Sequence, residues 1–199
     1  MSVYIFIPKK KKKVFSRWYL LLGVLAFILV IVLIEDIDFG WKDYLISILK
    51  ILALLFLALY VRLVFKSLNE YEDLNGYLCG KLILKKDEIL IGEKEYGINS
   101  ILEIKIKAED YYGLFNYILV DTPDPKLSIG VNNSFEIKFK DGSHEKVKFK
   151  QFYKDELVKK NREVLIHYHL MGKISFLALI QLFRIEDYDE IQKFKSSLK

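Results

Sequence analysis

Two long apolar runs, separated by nine mostly polar residues, dominate the first third of the chain. The first is Trp18–Ile34 (WYLLLGVLAFILVIVLI) and the second Tyr44–Phe65 (YLISILKILALLFLALYVRLVF). At the helical rise these make roughly 26 Å and 33 Å, against a hydrocarbon core of about 30 Å. A soluble fold has little reason to keep 17 successive residues apolar, so the pattern predicts a transmembrane helical hairpin over 18–66. No small-x-small site follows Ile34 and a second run comes at once, which argues against a cleaved signal peptide.

Beyond the hairpin the period changes. Residues 67–76 (SLNEYEDLNG) read as a polar linker, or a helical continuation ending at Gly76. From 77 to 153 apolar and polar residues alternate, as in half-buried antiparallel strands. Leu82 and Leu84, then Ile89 and Ile91, then Leu102, Ile104 and Ile106 mark three of them; Phe115–Val120, closed by Thr-Pro-Asp-Pro, and Leu127–Val131 are others. Phe135–Phe149 is the clearest hairpin. Phe135, Ile137 and Phe139 must share a face with Val147 and Phe149, which requires a loop of odd length. Lys140-Asp141-Gly142 fits, pairing Phe139 with Ser143 and Phe135 with Val147.

After Tyr153 the 3.6 period returns. Tyr153, Leu157, Val158, Val164, Leu165 and Tyr168 mark one face of a helix over 154–171, Ile174–Ile185 reads as a buried helix, and Asp187 with Glu190 forms a capping box for a last short helix whose Ile191 and Phe194 face inward. The expected fold is a membrane α-helical hairpin plus an α+β domain, with a small antiparallel bent sheet or barrel capped by C-terminal helices over 154–199. At the other end, Val3–Ile7 is β-prone and stops at Pro8. It either adds a strand to the domain or lies in the membrane interface.

Charge changes the picture in one respect. The chain carries 31 Lys and Arg against 26 Asp and Glu. Residues 66–199 are balanced, with 22 of each sign, so the whole excess of +5 lies in the first 65 residues. That distribution is explained by membrane topology and does not call for a nucleic acid. Lys9, Lys10, Lys11, Lys12, Lys13 and Arg17 precede the first run, Arg62 and Lys66 end the second, and the loop between holds four acids and one lysine. The positive-inside rule places both termini in the cytoplasm of a multi-pass protein, here a bacterial inner membrane. Trp18, Tyr19, Trp41, Tyr44 and Tyr60 occupy interfacial positions. Lys50 lies two turns inside the second run, on the face of Ser47 and Asp43, toward which its long stem can snorkel. No small-xxx-small seam and no row of polar residues marks a conduction path. The single Cys79 has no partner for an internal disulfide and reads as a buried structural thiol.

Two membrane runs followed by a strand-rich domain resemble bacterial pleckstrin-homology-like proteins. The stretch LILKKDEILIGEKEYGINSILEIKI (82–106) is similar to the opening strands of that fold, including the run Tyr96, Ile98, Ile101, Ile104. The resemblance implies a non-catalytic domain that binds a lipid headgroup, a peptide or a protein. Lys81, Lys85 and Lys86 stand where phosphoinositide-binding members carry basic residues, but no arginine follows. The domain's only arginines are Arg162 and Arg184.

Chemistry-bearing motifs are sparse. His167 and His169 sit two apart on a predicted helix and point about 200° apart, so they cannot share a metal. Glu186, Asp187, Asp189 and Glu190 fall at a helix start, where capping accounts for them. Tyr111 and Tyr112 read as an exposed strand-end turn, a candidate binding edge with the three lysines. No phosphate loop, nucleophile elbow or dinucleotide fingerprint occurs, so neither an enzyme nor a cofactor is expected. The first expectation is an interaction module at the inner membrane that binds a protein partner or assembles with itself, as an assembly subunit or immunity-type protein would. The second is a ligand-gated effector whose domain senses a small molecule such as a nucleotide and whose helices oligomerise to disrupt the bilayer.

Overall fold

The computed structural model describes residues 2–10, 19–35, 40–117 and 124–198. Lys11, Lys12, Lys13, Arg17, Trp18, most of the connecting loop and residues 118–123 lie outside the described residues. The chain divides into two compact units. One comprises 1–10, 73–114 and 128–199, and the other 11–72 and 115–127.

The first unit is α+β. Its main sheet has seven antiparallel strands: β1 (Ser2–Pro8), β2 (Gly76–Leu84), β3 (Glu88–Ile91), β4 (Lys94–Gly97), β5 (Ile101–Lys107), β8 (Asn133–Phe139) and β9 (His144–Lys150). Their order is β4-β3-β2-β1-β9-β8-β5, and β6 (Tyr112–Phe115) with β7 (Leu127–Ile129) makes a separate pair. The open question about residues 3–7 is thereby answered: β1 enters the middle of the sheet, between β2 and β9. Val3 and Ile5 point into the core, and withholding that strand would expose the backbone edges of both neighbours.

The predicted hairpin forms in the predicted register. Phe135 pairs with Val147, the Phe139 N–H donates to the Ser143 carbonyl at 2.9 Å, and Gly142 supplies the left-handed residue at φ 88°. Two other expectations need correction, and a β-bulge explains the first. Leu102 is exposed whereas Ile101 is fully buried, because the β5–β8 register shifts between Ile101 and Glu103 and leaves Leu102 as the extra residue. Cys79 is exposed, not buried. Counting back from the inward Leu82 and Leu84, ordinary strand alternation already turns Cys79 outward.

Helices cover the inner face. α3 (Glu156–Leu170) buries Leu157, Val158, Leu165 and Tyr168. Tyr153, expected on that face, is exposed because it precedes the helix. α3 kinks at Asn161, whose side-chain amide donates to the Leu157 carbonyl at 2.8 Å, the acceptor that a regular helix gives to the residue's own N–H. α4 (Phe176–Phe183) starts at Ser175, whose hydroxyl accepts from the Ala178 N–H. α5 (Tyr188–Ser197) is capped by Asp187, which accepts from Asp189 and Glu190, and Phe194 faces inward as expected. One core runs through sheet and helices, while Phe6, Ile129 and Val131 form a small apolar cluster of their own.

The second unit contains α1 (Tyr19–Glu35) and α2 (Lys42–Ser67) packed side by side, with the Phe27 and Phe56 ring centroids 5.4 Å apart. α2 has 26 residues, and its most apolar stretch has a mean hydropathy of 2.4 with none of it buried, so it is long and apolar enough to cross a membrane. α1 is apolar but shorter, with 17 residues. α2 stops at Ser67, so residues 68–75 do not continue it.

Candidate functional site

A cavity of about 730 Å³ opens in the α+β unit where the end of β5 meets the start of α3 and the C-terminal end of α4. Its apolar wall includes Ile106, Leu114, Ile180 and Ile185, and Tyr111 flanks it. Three cations, Lys107, Lys154 and Arg184, and three anions, Glu109, Asp155 and Glu186, stand around it.

Two of these residues set the site apart. Asp155 (φ 60°) and Arg184 (φ 55°) are the only non-glycine residues at positive φ among the described residues. They are 29 positions apart and bonded to each other: the Arg184 Nε–H donates to Asp155 Oδ1 at 2.8 Å. Asp155 precedes the first turn of α3 and Arg184 ends α4. Holding an L-residue there costs roughly 1 kcal/mol or more, and two such residues joined across a cavity form a strained latch. Among the described residues only the Nε edge of the guanidinium has a hydrogen-bond partner, Asp155, which leaves the paired Nη groups to meet a carboxylate, phosphate or carbonyl. Arg162, the unit's other arginine, is spent on packing, with its guanidinium 4.3 Å above the Phe183 ring.

A buried polar network fixes the adjoining backbone. The Asn133 side-chain amide donates to the Asp110 carbonyl at 2.9 Å and to the Gly130 carbonyl at 3.0 Å, and its oxygen accepts from the Asp110 N–H. Gln151 donates to the Ala108 and Asp110 carbonyls and accepts from the Leu157 N–H at 3.0 Å. It thereby ties the cavity wall at Ala108 to the first turn of α3. Gly130 is required in this cluster: at φ 76°, an added Cβ would lie 2.2 Å from the Gln151 carbonyl oxygen.

The residues singled out from the sequence fall into separate places. Lys85 is paired with Glu88 at the β2–β3 turn, and this partner raises the Lys85 pKa while Glu95, sharing its carboxyl hydrogen bond, and Lys85 lower that of Glu88. Lys86 is exposed beside it. Lys81 lies on another part of β2, its ammonium 5.8 Å from the Tyr4 ring. Tyr112 is exposed under the Lys150 ammonium at 5.3 Å, whereas Tyr111 flanks the cavity. The five candidates therefore do not form one surface. On α2, Trp41 and Tyr44 are exposed at the start, Lys50 and Arg62 are exposed, Tyr60 is half-buried, and Lys66 pairs with Glu70 at 3.1 Å. The Ser47 hydroxyl donates to the Asp43 carbonyl, and no ion pair joins Lys50 to Asp43 among the described residues. Tyr19 is exposed at the head of α1, and Lys9 and Lys10 follow β1, with Lys9 over the Tyr77 ring.

Sequence reasoning missed the cavity. The scarcity of arginine was its one available signal: a domain with two arginines gives each an outsized chance of a particular task. No group of three or more metal-ligating side chains gathers among the described residues. Comparison with known proteins returns no match, whether to a family model, a curated protein or a solved structure.

Proposed function

We propose that the protein is a non-catalytic interaction module held on the cytoplasmic face of a bacterial inner membrane by the α1–α2 hairpin, and that the cavity at Asp155–Arg184 receives a protein partner. The observation that carries this reading is α2, 26 residues long and apolar, whose most apolar stretch contains no buried residue although α1 packs beside it. Its companion α1, at about 26 Å, is nearly as long as the hydrocarbon core is thick, and its tyrosine and the α2 tryptophan stand at the helix ends where interfacial aromatics belong. Confinement to the membrane raises the effective concentration for partners on the same surface. The cavity supports a binding role, combining an apolar wall, a flanking tyrosine and a guanidinium with unspent donors.

The pleckstrin-homology-like assignment belongs to the same proposal. A seven-stranded antiparallel sheet followed by α3 supports it, while β1 arriving from ahead of the hairpin, and α4 and α5 behind α3, go beyond that pattern. The second reading, a small-molecule sensor that gates its own helices, draws on the cavity volume, which falls within the range of about 300–1,000 Å³ usual for small-ligand sites.

The test is purification of the full-length chain in mild detergent, with its mass measured by light scattering. A stoichiometric protein partner that is retained by the wild type and lost from Arg184→Ala is the expected result. A partner-free monomer, or a homo-oligomer whose addition to vesicles releases dye only with a nucleotide, contradicts the first reading, and the latter favours the second.

A further inference from the structure

The balance of charge over residues 66–199 conceals a polarised surface. β9, β8 and β5 are consecutive neighbours in the sheet, and the positions between their inward apolar residues are polar, with three lysines on β9, Lys138 on β8 and two lysines on β5. Register brings those lysines to one face. Lys146 pairs with Glu136 and Glu136 with Lys105, Lys148 pairs with Ser134 and Ser134 with Lys107, and Lys138 pairs with Glu103. Phe135, Ile137 and Phe149 are all fully buried on the opposite side, so this face is the outer one. Counting Lys150 at the end of β9, six lysines share it with Glu103 and Glu136, within reach of Lys105 (3.5 Å) and Lys146 (3.2 Å), while Lys107, at the edge next to the cavity, lies 3.9 Å from Glu109.

The spacing is that of a lattice, about 4.8 Å across strands and about 6.7 Å between alternate residues along them. An open depression of about 290 Å³ lies within it, bounded by Lys105, Lys138, His144 and the two glutamates. Aromatic rings stand at one border. Tyr4 and Phe152 meet edge to face at 6.3 Å, both about half exposed, with the Lys150 ammonium 4.7 Å from the Phe152 ring and 5.3 Å from that of Tyr112.

We infer that this outer face of β5–β8–β9 is a docking surface for an anionic lipid leaflet. This rests on the proposed membrane anchoring. The face carries ammonium point charges and no arginine, which suits diffuse attraction to many mobile headgroups and not the bidentate clamping of one phosphate. It is a strand surface, with amphipathic tyrosines at its border, where membrane-interface aromatics sit. A nucleic acid fits less well. The rings are covered by cations and so offer no stacking platform, and two glutamates interrupt any phosphodiester track.

The test footprints lysines on the full-length chain in nanodiscs of neutral phosphatidylcholine, or of the same lipid with about one third phosphatidylglycerol. A water-soluble acylating reagent modifies exposed amines, and mass spectrometry reads the rate at Lys138, Lys146 and Lys148 relative to the exposed Lys193 on α5. In anionic discs these three rates fall about fivefold, the protection is reversed by high salt, and Lys138→Glu with Lys148→Glu abolishes it at Lys146. Equal rates in the two lipids overturn the inference, as does protection by added single-stranded RNA in neutral discs without protection by anionic lipid. A chain that fails to enter the discs refutes the anchor instead, and the same footprint on added anionic vesicles then decides the docking by itself.

Discussion

Replacing Arg184 by alanine and by glycine separates the two opposing contributions at the latch. Arg184 ends α4 at φ 55°, ψ 41°, and its Nε bonds Asp155 at 2.8 Å. Alanine keeps the left-handed strain and removes the ion pair. With the arginine side chain 41% exposed and that of Asp155 17% exposed, the pair is worth about 0.2–1 kcal/mol. Glycine loses the same pair but relieves the conformational cost, about 1 kcal/mol. Arg184→Ala is therefore less stable than wild type by about 0.5 kcal/mol, and Arg184→Gly is equal to it or more stable by a similar amount. The informative quantity is the difference of about 1 kcal/mol between the two variants, or roughly 2–4 °C in Tm for a unit of this size. Both tryptophans, Trp18 and Trp41, fall outside the α+β unit, so their fluorescence does not report on it. Unfolding of detergent-solubilised protein is followed by far-ultraviolet circular dichroism instead. If alanine and glycine prove equally stable, the backbone is not held in the left-handed region and the latch does not exist.

Three further outcomes are expected. Gly130→Ala places a Cβ within 3.0 Å of three backbone atoms in the Asn133–Gln151 network and destabilises by about 3 kcal/mol or more, seen as loss of the sheet signal at reduced denaturant. Tyr168, whose hydroxyl donates to the Lys85 carbonyl at 2.5 Å and whose ionisation is pushed up chiefly by burial, loses about 1 kcal/mol on replacement by phenylalanine, measured by the same titration. Asp141 is held below the usual aspartate pKa by the Ser143 hydroxyl and backbone N–H. Its stabilisation is present above the ordinary aspartate value and is lost as pH falls through the lower folded value. Asp141→Asn should therefore weaken the hairpin at about pH 7 and have little effect at about pH 2, read from amide exchange along β8 and β9.

Features fixed by neighbouring residues were legible in the sequence. The β8–β9 register followed from alternation and an Asp-Gly turn, and the Asp187 cap from a four-residue pattern. Features set by distant pairing were not. β1 finds β2 and β9 across some 70 and 140 residues, and the bulge that exposes Leu102 exists only once β8 has paired with β5. The alternating lysines of β5 and β9 were visible, but their union with Lys138 on one face requires β5, β8 and β9 to be adjacent. The cavity lay furthest from view, since tertiary packing alone places an aspartate and an arginine in left-handed backbone.

The membrane topology on which the functional account stands is open to direct measurement, because Cys79 is the chain's single cysteine and is exposed. Cells expressing the full-length protein are treated with a membrane-impermeant maleimide, before or after permeabilisation, alongside a Cys79→Ser variant carrying Gly40→Cys in the loop between the helices. The account predicts that Cys79 reacts only after permeabilisation, whereas the cysteine at position 40 reacts in intact cells. Labelling of Cys79 from outside intact cells, or recovery of the chain in the soluble fraction without detergent, would contradict it.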